Sequence, residues 1–569
     1  MVRQPNRILS STGCLLVVVL ASLSAAEGDW PQWRGPDRNG VGRGGPALAS
    51  AWPATLKRLW VSEAISYGKA HGYSTPSIAD GRVYLFVAGT AVKEGRGDVI
   101  YCLDATNGKT LWRSAHPAAK AKTYGSSGTV CVDHGKVYVA GTGSKMYCLA
   151  AEDGSRVWTV DLGAHWSRSE ANHSSFLVVD GMAIIQGGQH DGPDAAKGGV
   201  VALDAADGDL LWSRPKHGSE GSPVIWRHEG KTSVLTVAAD GIFCHELKTG
   251  RLVWTATPGG SSHTLAVSGD RAVLLSDAYP DRGLVCFRMT GSRAEVAWMV
   301  PGRYDAGSGV VIHDGHVYAA ASNRGEHGRG RRGTALCANL ETGAVAWDVE
   351  MPNYSYVCPL IVDDKFFIAH PPHVIMVDAS PDRFTELGRA DVGIAPYISP
   401  VVAGGKLFVR GPKGVACYAL PLRGDRAVAT RPAATTATPA TPATPATRRD
   451  ISPRTDPLKI VVGFVRPFVP EGGTATFLVR LSGPPAGDVE VTVARTGGDA
   501  DIAVAGGERL RFTKANWSSG QTVTLSAAKD EDDAGGIAEL SLSAPGMETV
   551  TLDAYEVDAA ARRAEDKDS

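Results

Sequence analysis

One phrase recurs along this chain and limits what it can fold into. Leu103-Asp104-Ala105-Thr106-Asn107-Gly108-Lys109-Thr110-Leu111-Trp112 returns as Leu203-Asp204-Ala205-Ala206-Asp207-Gly208-Asp209-Leu210-Leu211-Trp212. A shorter copy runs from Leu247 through Thr249-Gly250 to Trp254. Others end in Asp153-Gly154…Trp158, Thr342-Gly343…Trp347 and, with a longer turn, Thr290-Gly291…Trp298. Upstream of each copy lies a second recurring piece, such as Ile78-Ala79-Asp80-Gly81-Arg82-Val83-Tyr84 or Val311-Ile312-His313-Asp314-Gly315-His316-Val317-Tyr318. Repeats at this period cannot each bury a core alone, so neighbouring copies must pack on one another.

Each unit reads as four short strands: an apolar one, an Asp-Gly turn, an alternating one, a variable loop, then two strands about a Thr-Gly turn. Asp-Gly suits a tight hairpin because glycine reaches positive φ at no steric cost. Four antiparallel strands per repeat make a propeller blade. First strands begin near Ser74, Ser127, Ser174, Ser222, His263, Ser308, Cys358 and Ser399, which gives eight blades. The seventh lacks its tryptophan, with Phe384 and Leu387 as substitutes. The eighth stops at Cys417-Tyr418-Ala419-Leu420, and Leu56-Lys57-Arg58-Leu59-Trp60-Val61 has the pattern to complete it. The N-terminal strand would then close the ring and leave no open sheet edge. Trp60, Trp112, Trp158, Trp212, Trp254, Trp298 and Trp347 are expected to dock between blades.

The remainder of the 569 residues divides by composition. Arg3 and Arg7, the apolar stretch around Leu15–Leu20 and Ser24-Ala25-Ala26 form an export signal over residues 1–26, too short to span a bilayer. The propeller is expected over residues 27–424. Ala-Thr-Pro repeats mark residues 425–456 as an extended spacer. Alternating segments from Ile460 to Leu542 point to a β-sandwich over 457–557, with a charged tail at 558–569. The architecture is therefore all-β: an eight-bladed propeller, a Pro/Thr-rich linker and a small sandwich. A net charge of -2 offers no field for nucleic acid. After Cys14 there are eight cysteines, six of them at one recurring strand position where another copy holds Ala202. A slot that takes either residue is a small buried core position, so no disulfide is expected.

The Asp-x-x-Thr-Gly-x-x-x-Trp turn resembles the docking motif of PQQ-repeat propellers, a family that includes quinoprotein dehydrogenases and the barrel-assembly lipoprotein BamB. The opening Trp30-Pro31-Gln32-Trp33-Arg34-Gly35-Pro36-Asp37-Arg38-Asn39-Gly40 is similar to the lead-in of exported BamB-like proteins. Val469-Pro470-Glu471-Gly472-Gly473-Thr474 resembles the start of Calx-β-like domains. That second resemblance implies calcium held by Glu471 and the run Asp530, Glu531, Asp532 and Asp533, hard oxygen donors that suit the ion.

Quinoprotein dehydrogenases commonly stack PQQ on a ring formed by two adjacent cysteines, and this chain has no such pair. Glu170 and Asn172 could serve as calcium ligands at the channel, but no companion catalytic aspartate follows from spacing. Gly125-Ser126-Ser127-Gly128 lacks nucleophile-elbow spacing, and Gly328-Arg329-Gly330-Arg331-Arg332-Gly333 lacks the lysine of a phosphate loop. The expectation is a non-enzymatic, monomeric binding protein of the periplasm or cell exterior, without cofactor in the propeller. Its partner would be an envelope protein or extracellular ligand. A PQQ- and calcium-dependent oxidoreductase is one alternative, and surface or carbohydrate attachment through the sandwich is another.

The candidate surface is the face that carries the blade-to-blade links and the second-to-third-strand loops. There lie His165, Trp166, Arg168, Glu170, Asn172 and His173. His263, Arg324 and His370 complete the set. Trp166 stands outside the repeat, where an indole beside His and Arg suits a partner contact.

Overall fold

The computed structural model describes residues 28–425 and 458–557, apart from 54, 69, 93–94, 119–124, 164, 166–172, 189–197, 216–217, 261–263, 277–282, 302–308, 325–330, 352–357, 463–467, 471, 482, 518–520 and 530–535. All regular elements among the described residues are strands. Eight four-stranded antiparallel sheets occupy the first region, each built from consecutive strands except the last. The first blade is Ser77–Ala79, Arg82–Val92, Gly95–Asp104 and Thr110–Pro117. The eighth takes Arg58–Val61 as its outermost strand, paired to Gly414–Ala419. The ring is thus closed by the N-terminal strand, as the pattern of Leu56 to Val61 implies.

The inner hairpins turn on residues of left-handed backbone, with φ of 51° at Asp80 and 71° at Gly81. This is the type I′ geometry that matches strand twist. The outer turns are built by side chains: Asp104 accepts from the Thr106 amide at 2.7 Å and from Asn107 Nδ2 at 2.9 Å. These donors hold the Asp104 carboxyl below its ordinary pKa. The turn then presents Gly108 to the indole of the preceding blade. A Cβ at Gly108 would lie 2.4 Å from the Trp60 ring, so no other residue fits. The Trp60 Nε1 donates to Ala105 O at 3.0 Å. The same docking joins Trp112 to Gly154, Trp158 to Gly208, Trp212 to Gly250 and Trp298 to Gly343.

Strand register explains the cysteine slot. Cys102, Cys148, Cys244, Cys286, Cys337 and Cys417 stand directly across from Trp112, Trp158, Trp254, Trp298, Trp347 and Trp60, and Ala202 from Trp212. A small side chain leaves room for the indole beside it. All eight described cysteines are buried and free, and burial pushes the Cys148 thiol up to about 12.

Two blades depart from the pattern. In the seventh, neither Phe384 nor Leu387 replaces the tryptophan. Gly388 stands at the docking position, paired with Met376, and the space beside it is filled by Trp52 of the N-terminal segment. Its ring lies 5.6 Å from Phe367, much as Trp60 lies 6.0 Å from Phe408 and Trp112 6.0 Å from Tyr84. Its amide donates to Leu387 O at 3.1 Å. Phe384 packs instead on Trp347, ring to ring at 5.4 Å. In the fourth blade Trp254 is buried, but the longer Thr290-Gly291-Ser292-Arg293 turn does not close over it. It packs edge-on against Trp226 at 6.1 Å, and its Nε1 has no acceptor among the described residues.

The C-terminal region is a separate sandwich. One sheet orders Ile460–Val462, Thr474–Leu481, Gln521–Ala527 and Ile502–Gly506. The other orders Phe468–Pro470, Val550–Val557, Ile537–Ser543, Val489–Gly498 and Arg509–Phe512. Alternate residues point inward, and Phe477, Val491, Phe512, Leu525 and Leu540 form its core.

Replacing Trp52 with Ala should destabilise the propeller by about 3–5 kcal/mol, as for any buried indole. Chemical denaturation followed by tryptophan fluorescence measures it. A loss below about 1 kcal/mol would show that the seventh blade closes without Trp52.

Candidate functional site

The centre of the ring is occupied by the chain itself. Residues 28–48 cross the channel mouth on the side of the first-to-second-strand turns and bond to every blade. Trp30 pairs with Ile78 of the first blade, and Pro31 O accepts from Val132 of the second. Arg38 reaches the third and fourth: Nη2 donates to Ser175 O at 3.0 Å, Nη1 to Phe176 O at 2.5 Å and Nε to Pro223 O at 3.0 Å. Arg34 Nη1 reaches Thr264 O and Leu265 O of the fifth, both at 3.0 Å, and Nη2 reaches Val310 O of the sixth. Gly40 and Gly42 exchange backbone bonds with Ile361 of the seventh, and Gly404 of the eighth donates to Gly28 O.

Both guanidiniums are buried, with 3% and 2% of their residues exposed, and carbonyl dipoles rather than carboxylates surround them. Desolvation lowers both pKa values, that of Arg38 to about 10, which still leaves the charge in place at neutral pH. Both residues also hold left-handed backbone, with φ of 62° and 57°. Strain of this kind persists only where the surroundings over-determine it. The sequence of residues 30–40 does not by itself assign them this role. The available signal was a pair of arginines among Trp, Gly and Pro with few acidic neighbours. Beside the plug a polar cleft of ≈ 330 Å³ is lined by Gln32, Asp37, Arg43, Val178 and Arg227 among others.

Nearer the opposite, loop-bearing face, hydroxyls tie several inner strands to their neighbours. The amide of Thr129 donates to Ser175 Oγ, that of Ser175 to Ser222 Oγ and that of Ser222 to Thr264 Oγ1. Separately, the amide of Cys358 donates to Ser399 Oγ and that of Ser399 to Thr75 Oγ1, joining the seventh, eighth and first blades. Of the serines that mark strand starts in the sequence, Ser127, Ser222 and Ser399 accept from a backbone amide of the neighbouring blade, whereas Ser174 Oγ has no partner among the described residues.

Of the surface residues expected on the loop face, the structure places some and brings few together. His165 is half-buried in the turn after the second blade, where its amide donates to Leu162 O. His173 sits 3.7 Å from Glu220 across the third and fourth blades. His370 lies four blades from His173, 6.4 Å ring to ring from His373. Arg324 ends an inner-hairpin strand opposite Arg331. Trp166, Arg168, Glu170, Asn172 and His263 lie outside the described residues.

A buried carboxylate that sequence reasoning missed lies between the first two blades. Asp98 is fully buried and accepts from the Thr142 amide at 2.7 Å, Thr142 Oγ1 at 2.6 Å and the Tyr147 hydroxyl at 3.2 Å. Burial raises its pKa despite these donors. His116, its cross-strand partner, stacks on Tyr147 at 4.5 Å, and burial lowers its pKa. The group clamps the tight turn of the second blade, since it bonds that turn's backbone.

In the sandwich, the expected calcium ligands Glu471, Asp530, Asp532 and Asp533 lie outside the described residues. Among the described residues, Asp499, Asp501 and the buried Glu556 bring carboxylate oxygens within 4.8 Å of one another. This is a hard-oxygen set of the type calcium takes.

Residues 95–349 match the family model described as outer membrane protein assembly factor BamB. Quinohemoprotein alcohol dehydrogenase from Comamonas testosteroni is similar in structure at a TM-score of 0.54 and 14% identity, over 69% of this chain and 81% of that one. BamB from Moraxella catarrhalis aligns at a TM-score of 0.44 and 18% identity, over 63% and 96%. A europium-containing methanol dehydrogenase aligns at 0.47 and 12%, over 69% and 90%. A search of the curated proteins found no match. At such identities the likeness to the first dehydrogenase shows the fold alone.

The carboxyl of Asp98 ionises later in the folded chain than in the unfolded one. Its contribution is therefore greatest below the ordinary aspartate range and is lost as pH rises towards the folded pKa. Denaturation of wild type and Asp98→Asn between pH 4 and 7.5 should show the variant gaining relative stability as pH rises. A constant difference would mean that Asp98 is ionised throughout.

Proposed function

With a BamB-like, PQQ-repeat propeller as the premise, we propose that this chain is an exported, non-enzymatic scaffold of the cell envelope. Its loop-bearing face takes a protein partner. The observation that carries the reading is the N-terminal plug. Arg34 and Arg38 occupy the channel axis and bond the inner strands of four blades, while the flanking backbone bonds the other four. A ring locked in this way presents its loops at fixed mutual positions, which suits recognition of a folded surface.

PQQ is the cofactor that the dehydrogenase likeness would imply, and the residues here do not fit it. The chain has no adjacent cysteine pair. Among the described residues, the buried charged groups on the channel axis are arginines, and the buried carboxylate of the propeller, Asp98, belongs to the seam between two blades. The family description of BamB as an outer membrane protein assembly factor supports an envelope protein as partner. No helix among the described residues is long and apolar enough to cross a membrane.

Calorimetric titration of PQQ into the purified full-length protein, with and without calcium, should give no heat. Stoichiometric binding at micromolar concentration would overturn the scaffold reading. A photo-crosslinking residue at position 370, on the loop face, should trap an envelope protein in cells, whereas one at position 229, on the opposite face, should not. Equal capture from both faces would reject the loop face as the binding surface.

A further inference from the structure

The turn face of the sixth and seventh blades carries a donor cluster that neither the repeat nor the scaffold reading uses. The inner hairpin of the sixth blade reads His313-Asp314-Gly315-His316, and His313 and His316 are directly paired across it. Cross-strand partners project from the same face of a sheet. The neighbouring hairpin of the seventh blade turns on Asp363-Asp364. There His313 Nε2 meets Asp364 Oδ1 at 2.9 Å and lies 3.6 Å from Asp314 Oδ2.

Asp364 is the anomalous member. In six blades the second turn residue is a glycine of positive φ: Gly81, Gly135, Gly181, Gly230, Gly315 and Gly405. The seventh places an aspartate there at φ 54°, a conformation that is unfavourable for a side chain. The hairpin itself would form more easily with glycine. What the aspartate adds is a carboxylate against the imidazole of the next blade.

We propose that His313, Asp314 and Asp364 bind a divalent transition cation of the zinc class, with His316 as the fourth donor. A tetrahedral zinc ion with bonds of about 2.0–2.2 Å needs donor atoms about 3.4 Å apart, and the two separations here bracket that value. His316 Nδ1 lies 2.8 Å from the Asp314 carbonyl. Turning this ring toward His313, Asp314 and Asp364 gives up that contact, so His316 joins as the fourth donor by a side-chain rotation, and the three grouped residues carry the site. The mixed imidazole and carboxylate set favours zinc over calcium or magnesium, which take oxygen alone. His313 is 17% exposed by side chain and the aspartates far more, so the ion has an open route from solvent. Bound there, it would cross-link two blades.

The test is titration of zinc chloride into the full-length protein by calorimetry, alongside Asp364→Gly and His316→Asn. Wild type should bind one equivalent that Asp364→Gly lacks, and His316→Asn should bind it at least tenfold more weakly. Asp364→Gly restores the residue that other blades use, so its metal-free melting temperature should not fall below that of wild type. That control separates loss of a ligand from loss of the fold. No zinc uptake by wild type, or equal uptake by Asp364→Gly, would overturn the site.

Discussion

A propeller ring has one mechanical problem: its first and last blades must be held together against the entropy of an open chain. In this protein one N-terminal segment answers it in three ways. Residues 28–48 fill the axis with hydrogen bonds to all eight blades. Trp52 fills the seventh docking site, and Arg58–Val61 completes the eighth sheet. Each contact is distant in sequence, so the ring is held chiefly by long-range pairing. Folding that depends on such pairing is slow, because loop closure precedes its compensation.

The plug also decides what the interior can do. A guanidinium withdrawn from water needs several acceptors, and the free carbonyls at the inner-strand starts provide them. The channel carbonyls thus take the terminal nitrogens of both arginines and Nε of Arg38, while Arg34 Nε has no partner among the described residues. Removing either side chain would leave several buried carbonyls without donors, at a cost of about 1–3 kcal/mol each. With the axis committed in this way, chemistry and recognition are left to the two faces. One face carries the long inter-blade loops and the other the tight hairpins, where His313, Asp314 and Asp364 gather.

Departures from the repeat fall into two kinds. Gly388 and the long turn after Met289 are losses of a docking element, and each is met by another indole, Trp52 or Trp226. Asp98 and Asp364 are additions: an acid placed where the blade pattern does not require one. The first binds backbone and so stabilises a turn. The second meets a histidine across a blade boundary and gains little for its own hairpin.

What the sequence by itself determined is everything local. The Thr-Gly-to-Trp spacing, the Asp-Gly turns and the Cys/Ala slot set strand order, hairpin type and blade docking, because each is fixed by contacts within a repeat or between consecutive ones. Even closure by Leu56–Val61 was readable, since that strand keeps the blade pattern. The role of Trp52 was not, because it lies outside any repeat and meets Gly388 more than 300 residues away. Arg34 and Arg38 likewise gave no hint of their acceptors, which are backbone carbonyls and carry no mark in the side-chain code. The meeting of His313 with Asp364 belongs to the same class. Only the tertiary structure decides which turns of adjacent blades approach, because that distance depends on how the ring closes.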